Sequence, residues 1–595
     1  MEFFKKYFLV FFINYALLVL TKVIFSFYLG FNTIYPVFWG YKFDFAVSGF
    51  VALLVMLFSF SKILSKFVFV GVTTAFFLLQ ISDMLYFSEA QRHIGYEIND
   101  FFTDMIPLVQ TALNKYFLMS IFGFVMAGVV AFFLSKIDVF IQWNKRTFVS
   151  LLGGIALSVF FIRGEFQHIP LHPYQANEIG DVKLAQVALN GVYNVTYALI
   201  HGRKDPKMMN IPHPKGYKQI VASMYKTPKK EFYSPYQGEK PNVILFFAES
   251  WSAKWLQPYG FDKETTPNFN AMYKEGLHVK YMVAQGHRTT EGIFATLTSF
   301  PNPLGKSVAK TRLQSYQYDS MIFLFNKAGY ESIFFQGTSK DTSGTGSLAQ
   351  SLGFHKSYGK RDVKQKKYPE NYWGVQDDDL YDFVLTKLPK NKPFIIGING
   401  ATTHDSVVPK SFATKKFVKD EKRNKELNAL YFADYALGKF VKKIKKRYPN
   451  TIFVFFADHC GGGISGVLDN YKIPFVIYGN KIKPQSYDVV LSQLDIAPSV
   501  VDLVFGDYKK FLPNATGKSL FSDTAFFAPY FHNGILGWVE NDRKIEYNLQ
   551  SKSVKCEGKD KQECKSLKVK ALSFTFLTQE LLFEGKTREF HVYKK

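Results

Sequence analysis

Three cysteines in 595 residues allow at most one internal disulfide, so covalent stapling has little part in this fold. Cys556 and Cys564 flank a short charged loop and could close a hairpin disulfide in an oxidising compartment, whereas Cys460 has no evident partner and reads as a small buried residue. Charge is scarce up to about residue 165, where Phe, Leu, Val, Ile and Gly dominate; beyond it Lys, Asp and Glu are spread throughout. The mean hydropathy of −0.04 therefore averages two unlike parts. No nucleic-acid-binding motif accompanies the formal charge of +24, which leaves a solvated surface or an anionic partner such as lipid headgroups or an envelope polymer. A small-residue cleavage site is also missing after the first apolar run, so that run reads as an uncleaved anchor. The apolar runs lack the internal acid and base pairs that mark a transport pathway, which disfavours a porter or channel.

Five apolar segments are present, at residues 7–29, 43–60, 67–87, 116–134 and 148–162. A helix needs about 20 residues to cross the hydrocarbon core, so the second and fifth are near the short limit, but five spans is the preferred count. Lys5 and Lys6 precede the first segment, and Lys62 and Lys66, and Lys136, Lys145 and Arg146, lie in the second and fourth connections; the positive-inside rule assigns all three regions to the cytoplasm. An odd number of spans then places everything after residue 162 outside. The third connection, residues 88–115, is external and either lies on the membrane surface or is a plain amphipathic connector. We read residues 1–165 as a transmembrane domain of five helices and 166–240 as a juxtamembrane linker with a helix around 182–201. Residues 241–595 form the outer domain.

In that domain, continuous apolar runs at 242–248, 331–336, 393–399, 451–457 and 473–478 alternate with helical spacing at 268–276, 320–328, 377–388 and 425–447. Such alternation predicts an α/β fold with a mixed, mostly parallel sheet and helices on both faces. In these sheets ligands bind beyond the carboxyl ends of the strands, which makes the strand ends the place to look. The first run ends in Glu249-Ser250, the run at 451–457 in Asp458-His459, and the run at 393–399 is followed by Gly400-Ala401-Thr402-Thr403-His404. A polar turn, Gly286-His287-Arg288-Thr289-Thr290-Glu291-Gly292, opens what reads as a short helix, whose exposed N–H groups favour an anion. Thr289 is the candidate nucleophile there, with the N-cap of the helix as its plain alternative. Glu, Asp and His form a mixed oxygen and nitrogen set suited to a divalent metal, and coordination would activate a threonine oxygen.

The stretches PNVILFFAESWSA, TTPNFNAMYKEG, GHRTTEGIFATLTSFPN, YWGVQDDDLYDF and VFFADHCGGG resemble the alkaline phosphatase and sulfatase superfamily. More narrowly they resemble its membrane-bound branch of lipoteichoic acid synthases and phosphoglycerol transferases. The resemblance implies an alkaline-phosphatase-like domain in which Glu249, Thr289, Asp458 and His459 hold one divalent ion, commonly Mn2+, with Mg2+ or Zn2+ possible. It makes Thr289 the residue that becomes covalently modified, and places Trp373 and His404 at the substrate. Where lipoteichoic acid synthases tend to carry a basic residue after the aromatic-Gly pair, this chain has Gln376, a departure that bears on headgroup recognition.

The activity so implied is transfer of glycerol phosphate from phosphatidylglycerol, through a threonine ester, to an envelope glycan, glycolipid or polyglycerolphosphate acceptor. It implies a multi-pass protein of the bacterial cytoplasmic membrane that meets donor lipid and envelope acceptor outside. Phosphoethanolamine transfer to lipid A or a glycan is the runner-up, disfavoured by the scarcity of cysteine. A sulfatase would need a Cys/Ser-x-Pro-x-Arg signature at the nucleophile, which is absent.

Overall fold

The computed structural model describes residues 2–90, 93–95, 98, 116–164, 171, 173, 176, 179, 182–201, 206–226, 236, 239–309, 311–340, 342–461, 467–558 and 560–594. The chain divides into two compact units, Met1–Lys204 with Gln550–Lys552, and Asp205–Leu549 with Ser553–Lys595.

In the first unit, helices occupy Glu2–Tyr28, Tyr41–Leu57, Lys62–Ala90, Phe117–Leu134 and Lys145–Arg163. All five expected segments are helical, but among the described residues four helices, not five, are long and apolar enough to cross a membrane. The exception is Tyr41–Leu57, which has only 17 residues and carries Asp44 in its first turn. This helix is largely buried by its neighbours: Ser158 donates to the carbonyl of Gly49 (3.0 Å), and a Cβ on Gly49 would press against the Phe161 ring.

Contrary to the expectation from sequence, the apolar helices do hold an acid and base pair. Lys22 Nζ, fully buried, donates to Asp44 Oδ2 (2.8 Å) and to the carbonyls of Ala188 (2.8 Å) and Val37 (3.2 Å). Asn190 donates to the other Asp44 oxygen (2.8 Å). The helix expected around 182–201 is two, Val182–Ala188 and Gly191–His201, broken at Asn190, whose side-chain Oδ1 accepts from Tyr193 N (2.6 Å). A second buried acid, Asp83, accepts from Ile94 N (2.7 Å) and contacts His93, whose Nε2 meets the carbonyl of Gln186 (2.8 Å). Both acids thus bind polar groups of the segments that follow the helices. Most of the connection 88–115 lies outside the described residues.

In the second unit, the strands are β1 (Asn242–Ala248), β2 (Leu277–Val283), β3 (Glu331–Gln336), β4 (Lys356–Tyr358), β5 (Phe394–Asn399), β6 (Thr451–Ala457), β7 (Lys472–Ile473), β8 (Phe475–Tyr478) and β9 (Gln485–Ser492). They form one sheet in the order β4-β3-β5-β1-β6-β8-β2-β7, with β9 on β2. The left-hand part, through β6, is parallel; β8 runs antiparallel to both β6 and β2. Strands β1, β5 and β6 are buried along nearly their whole length, as their unbroken Ile, Val and Phe runs require of a sheet covered on both faces. Helices Pro267–Glu275, Met321–Lys327, Asp377–Lys387 and Glu421–Arg447 fall where helical spacing predicts them.

A second sheet was not anticipated. Strands β10 (Ala528–His532), β11 (Ile535–Glu540), β12 (Arg543–Asn548) and β13 (Val554–Glu557) make an antiparallel meander, and helix Lys561–Phe583 follows. Asn533-Gly534, both at positive φ (44° and 84°), form the tight turn between β10 and β11 that an Asn-Gly pair favours. Cys556 and Cys564 are disulfide-bonded and tie β13 to that helix.

Candidate active site

Three neighbouring parallel strands, β5, β1 and β6, end side by side. Phe247 pairs with Asn399 and Ala248 with Ala457, so the residues just past these pairs project from one edge. Glu249 follows β1, and Asp458 and His459 follow β6; one ligand atom from each lies within 4.8 Å of the others. Glu249 and Asp458 are buried. His459 Nε2 is 3.4 Å from Glu249 Oε1 and 3.6 Å from Asp458 Oδ2. Its Nδ1 meets the carbonyl of Cys460 (3.0 Å), which must accept, so Nδ1 carries a proton and Nε2 faces the two carboxylates. Ser250 adopts a left-handed φ of 60°, which lets its N–H reach Asp458 Oδ1 (3.0 Å) while its hydroxyl donates to Glu249 Oε1 (2.7 Å).

Thr289 enters from a different direction. It is the first residue of helix Thr289–Thr298, and Arg288, with no capping side-chain bond, holds the N-cap position. Its hydroxyl donates to Glu249 Oε2 (3.2 Å). Thr290 is buried and bonds Ser307 instead (2.8 Å). Glu291 Oε2 accepts from His287 N (2.7 Å), which closes the turn ahead of the helix. Gly292 makes the approach possible: a Cβ there would lie 2.3 Å from the carbonyl oxygen of Asp458.

His404 and Trp373 stack on one another, ring centres 4.8 Å apart and 18° from parallel, with His404 Nε2 3.4 Å from Glu249 Oε1. Gln376, where a basic residue was the alternative, is buried; its amide donates to the carbonyl of Val407 (3.0 Å) and its oxygen accepts from Thr402 (3.0 Å). It braces the loop that carries His404. His532, left unassigned from sequence, comes from the second sheet to within 3.0 Å of His287 Nε2. Sequence reading also passed over Asn399 and Ser250, although both stand at the strand ends already singled out.

The electrostatics suit a cation. Burial disfavours the Glu249 carboxylate, but His404, His459 and Ser250 outweigh it and hold the group below its ordinary range. Burial and the repulsion of Glu249 push Asp458 up to about 8. His459 is pushed up to about 10: burial opposes the charge, but Asp458 and Glu249 overcome it. Burial pulls His404 down despite Glu249. Two buried carboxylates that cannot both shed their protons comfortably, facing a hydroxyl and an imidazole nitrogen that a cation could take over from its proton, fit a divalent cation by donor type and placement.

The sulfatase family model matches residues 241–506. Phosphoglycerol transferase I of Escherichia coli (strain 55989 / EAEC) is 24% identical over 308 residues, covering 48% of this chain and 40% of that protein. The chain's match thus spans well under half the length of that relative. Among solved structures, a protein of the alkaline phosphatase superfamily from Vibrio parahaemolyticus superposes with a TM-score of 0.53 at 22% identity, covering 62% of this chain and 98% of the other. The lipoteichoic acid synthase LtaP from Listeria monocytogenes gives 0.52 at 16% identity, covering 61% and 97%. At these identities the structural likeness is one of fold.

Proposed function

We propose, from the premise that residues 241–506 form a sulfatase-family domain of the alkaline phosphatase superfamily, that this chain is a membrane-bound phosphoglycerol transferase. The observation that carries the reading is the hydroxyl of Thr289 set at a helix start, 3.2 Å from Glu249, whose carboxylate is grouped with Asp458 and His459. Glu249, Asp458, His459 and Thr289 would hold the divalent ion, which when bound supplies positive charge that favours the alkoxide and offsets phosphoryl charge. Manganese is our first choice.

Thr289 Oγ attacks the phosphorus of phosphatidylglycerol, the bond to the diacylglycerol oxygen breaks, and diacylglycerol leaves with a proton. An envelope hydroxyl then attacks the same phosphorus, takes the glycerol phosphate and returns the threonine. The N–H groups at the start of the helix would stabilise charge gathering on the phosphoryl oxygens. Trp373 offers a flat apolar surface beside His404, and His404, uncharged because burial lowers it, can donate to or accept from the transferred group.

The disulfide supports an extracytoplasmic second unit, since such bonds persist in oxidising compartments. With Lys5 and Lys6 inside, that placement needs an odd number of crossings, so we count Tyr41–Leu57, at the lower length limit, as the fifth.

The test is the intact mass of the full chain after incubation with phosphatidylglycerol and manganese(II), beside Thr289→Ala. A glycerol phosphate adduct on the parent alone is expected. An ethanolamine phosphate adduct from mixed lipids would favour the phosphoethanolamine reading, and no adduct with any lipid would overturn transfer.

A further inference from the structure

Asn399 ends β5, the strand beside β1, and is buried at 2% exposure. Its side-chain amide reaches three acceptors: the carbonyl of Phe247 (3.0 Å), Glu249 Oε2 (3.4 Å) and Asp458 Oδ2 (3.4 Å). All three can only accept while the acids are ionised, so the NH2 group and not the oxygen must face them. The amide therefore crosses the end of β1 and contacts a carboxylate on each of two strands. Its own backbone is held as well, for its carbonyl accepts from Gly337 N (3.0 Å) on the β3 side.

The segment after Asn399 is fixed with equal care. Asp377 Oδ1 accepts from Ala401 N (2.8 Å) and Thr402 N (3.0 Å), and the hydroxyl of Thr403 donates to the carbonyl of Glu249. A Cβ on Gly400 would lie 2.7 Å from the Asp377 carboxylate, so the turn closes tightly onto it. Asn399 thus has little freedom to swing away from the two acids.

We propose that Asn399 is a positioning residue of the cation site, one that holds Glu249 and Asp458 at the spacing the ion requires. This rests on the reading of Glu249, Asp458 and His459 as metal ligands. A neutral donor suits the place. It relieves the mutual repulsion of two buried carboxylates without competing for the cation as Lys or Arg would, and by bonding one oxygen of each acid it fixes their rotation. A leucine, branched in the same way but unable to donate, would leave both unguided.

The test is binding of manganese(II) to the full chain in detergent, followed by titration calorimetry and by the cation-induced rise in unfolding temperature. Asn399→Leu should bind manganese roughly tenfold to a hundredfold more weakly than the parent, in line with the loss of groups that orient metal ligands. Asn399→Asp keeps the shape but sets a third carboxylate against the two. Its metal-free form should melt below the parent, and manganese should raise its melting temperature by more. A role in packing alone predicts no such enlarged response. Unchanged affinity in Asn399→Leu, with Glu249→Gln abolishing binding, would overturn the inference and leave the metal site standing. Binding in the parent that Glu249→Gln does not weaken would overturn both.

Discussion

Ionisation at the site makes a pH test possible. Asp458 and His459 both titrate above their ordinary values, at about 8 and about 10, so without a cation the folded state holds protons that the unfolded chain releases. The stability they contribute is present at low pH and is lost as pH rises through those values. Asp434 and Asp495, each pushed up to about 7 by burial, add a loss of the same sign that no cation repairs. The chelated protein should therefore melt at a lower temperature at pH 8 than at pH 6, and manganese should recover more at pH 8. Scanning calorimetry with and without chelator separates the two contributions. Equal recovery at both pH values would show that the carboxylates are not the ligands.

Gly292 supplies a second test, because the group it touches is backbone and cannot turn aside. Gly292→Ala should cost about 1–3 kcal/mol in denaturant titration, and the helix carrying Thr289 would have to draw back from Glu249. Adduct formation should fall by more than stability alone explains. A variant with parental transfer would mean that the nucleophile tolerates the displacement.

Among elements, legibility followed burial. Strands β1, β3 and β6 have the bounds their apolar runs mark, because a strand covered on both faces must be apolar throughout. The run at 473–478 is split into β7 and β8, with Pro474, which has no N–H to give a ladder, between them. Strands β2 and β9 went unread. Their His278, Lys280 and Ser486 belong to a face only partly covered, so no continuous run appears. The second sheet hid for another reason: β10 and β11 are almost wholly buried but short, with Pro529, His532 and Gly537 interrupting their apolar residues, though Asn533-Gly534 was a visible hairpin signal.

The site divides the same way. Acids and histidines directly after apolar runs were legible, whereas Asn399 counted as the last residue of a strand and His532 belongs to a sheet not foreseen. The disulfide between β13 and the following helix closes a short loop, and Cys556→Ser should lower stability by about 2–3 kcal/mol, read as a shift in the denaturation midpoint. Adduct formation in buffer below that midpoint should be unchanged, because neither cysteine approaches Thr289 in sequence or is bonded to the site's ligands.

At the scale of the molecule, each unit has its own core and its own polar logic. The catalytic reading belongs wholly to the second unit: every group assigned to the cation, the nucleophile and the stacked Trp373–His404 pair lies between Asp205 and Leu549. The first unit spends its buried charge on itself. Lys22 and Asp44 bond one another directly, and Ala188 and Asn190 complete their shell. During synthesis the helix bearing Lys22 is made long before residue 190, and an unaccompanied ammonium in hydrocarbon is costly. Completion of the first unit is then ordered in time: the ion pair between two of its long helices stays unfinished until the chain beyond Lys145–Arg163 supplies Ala188 and Asn190. In that interval Lys22 already has Asp44 from the next long helix but lacks the Ala188 carbonyl, so the ion pair stands only partly enclosed.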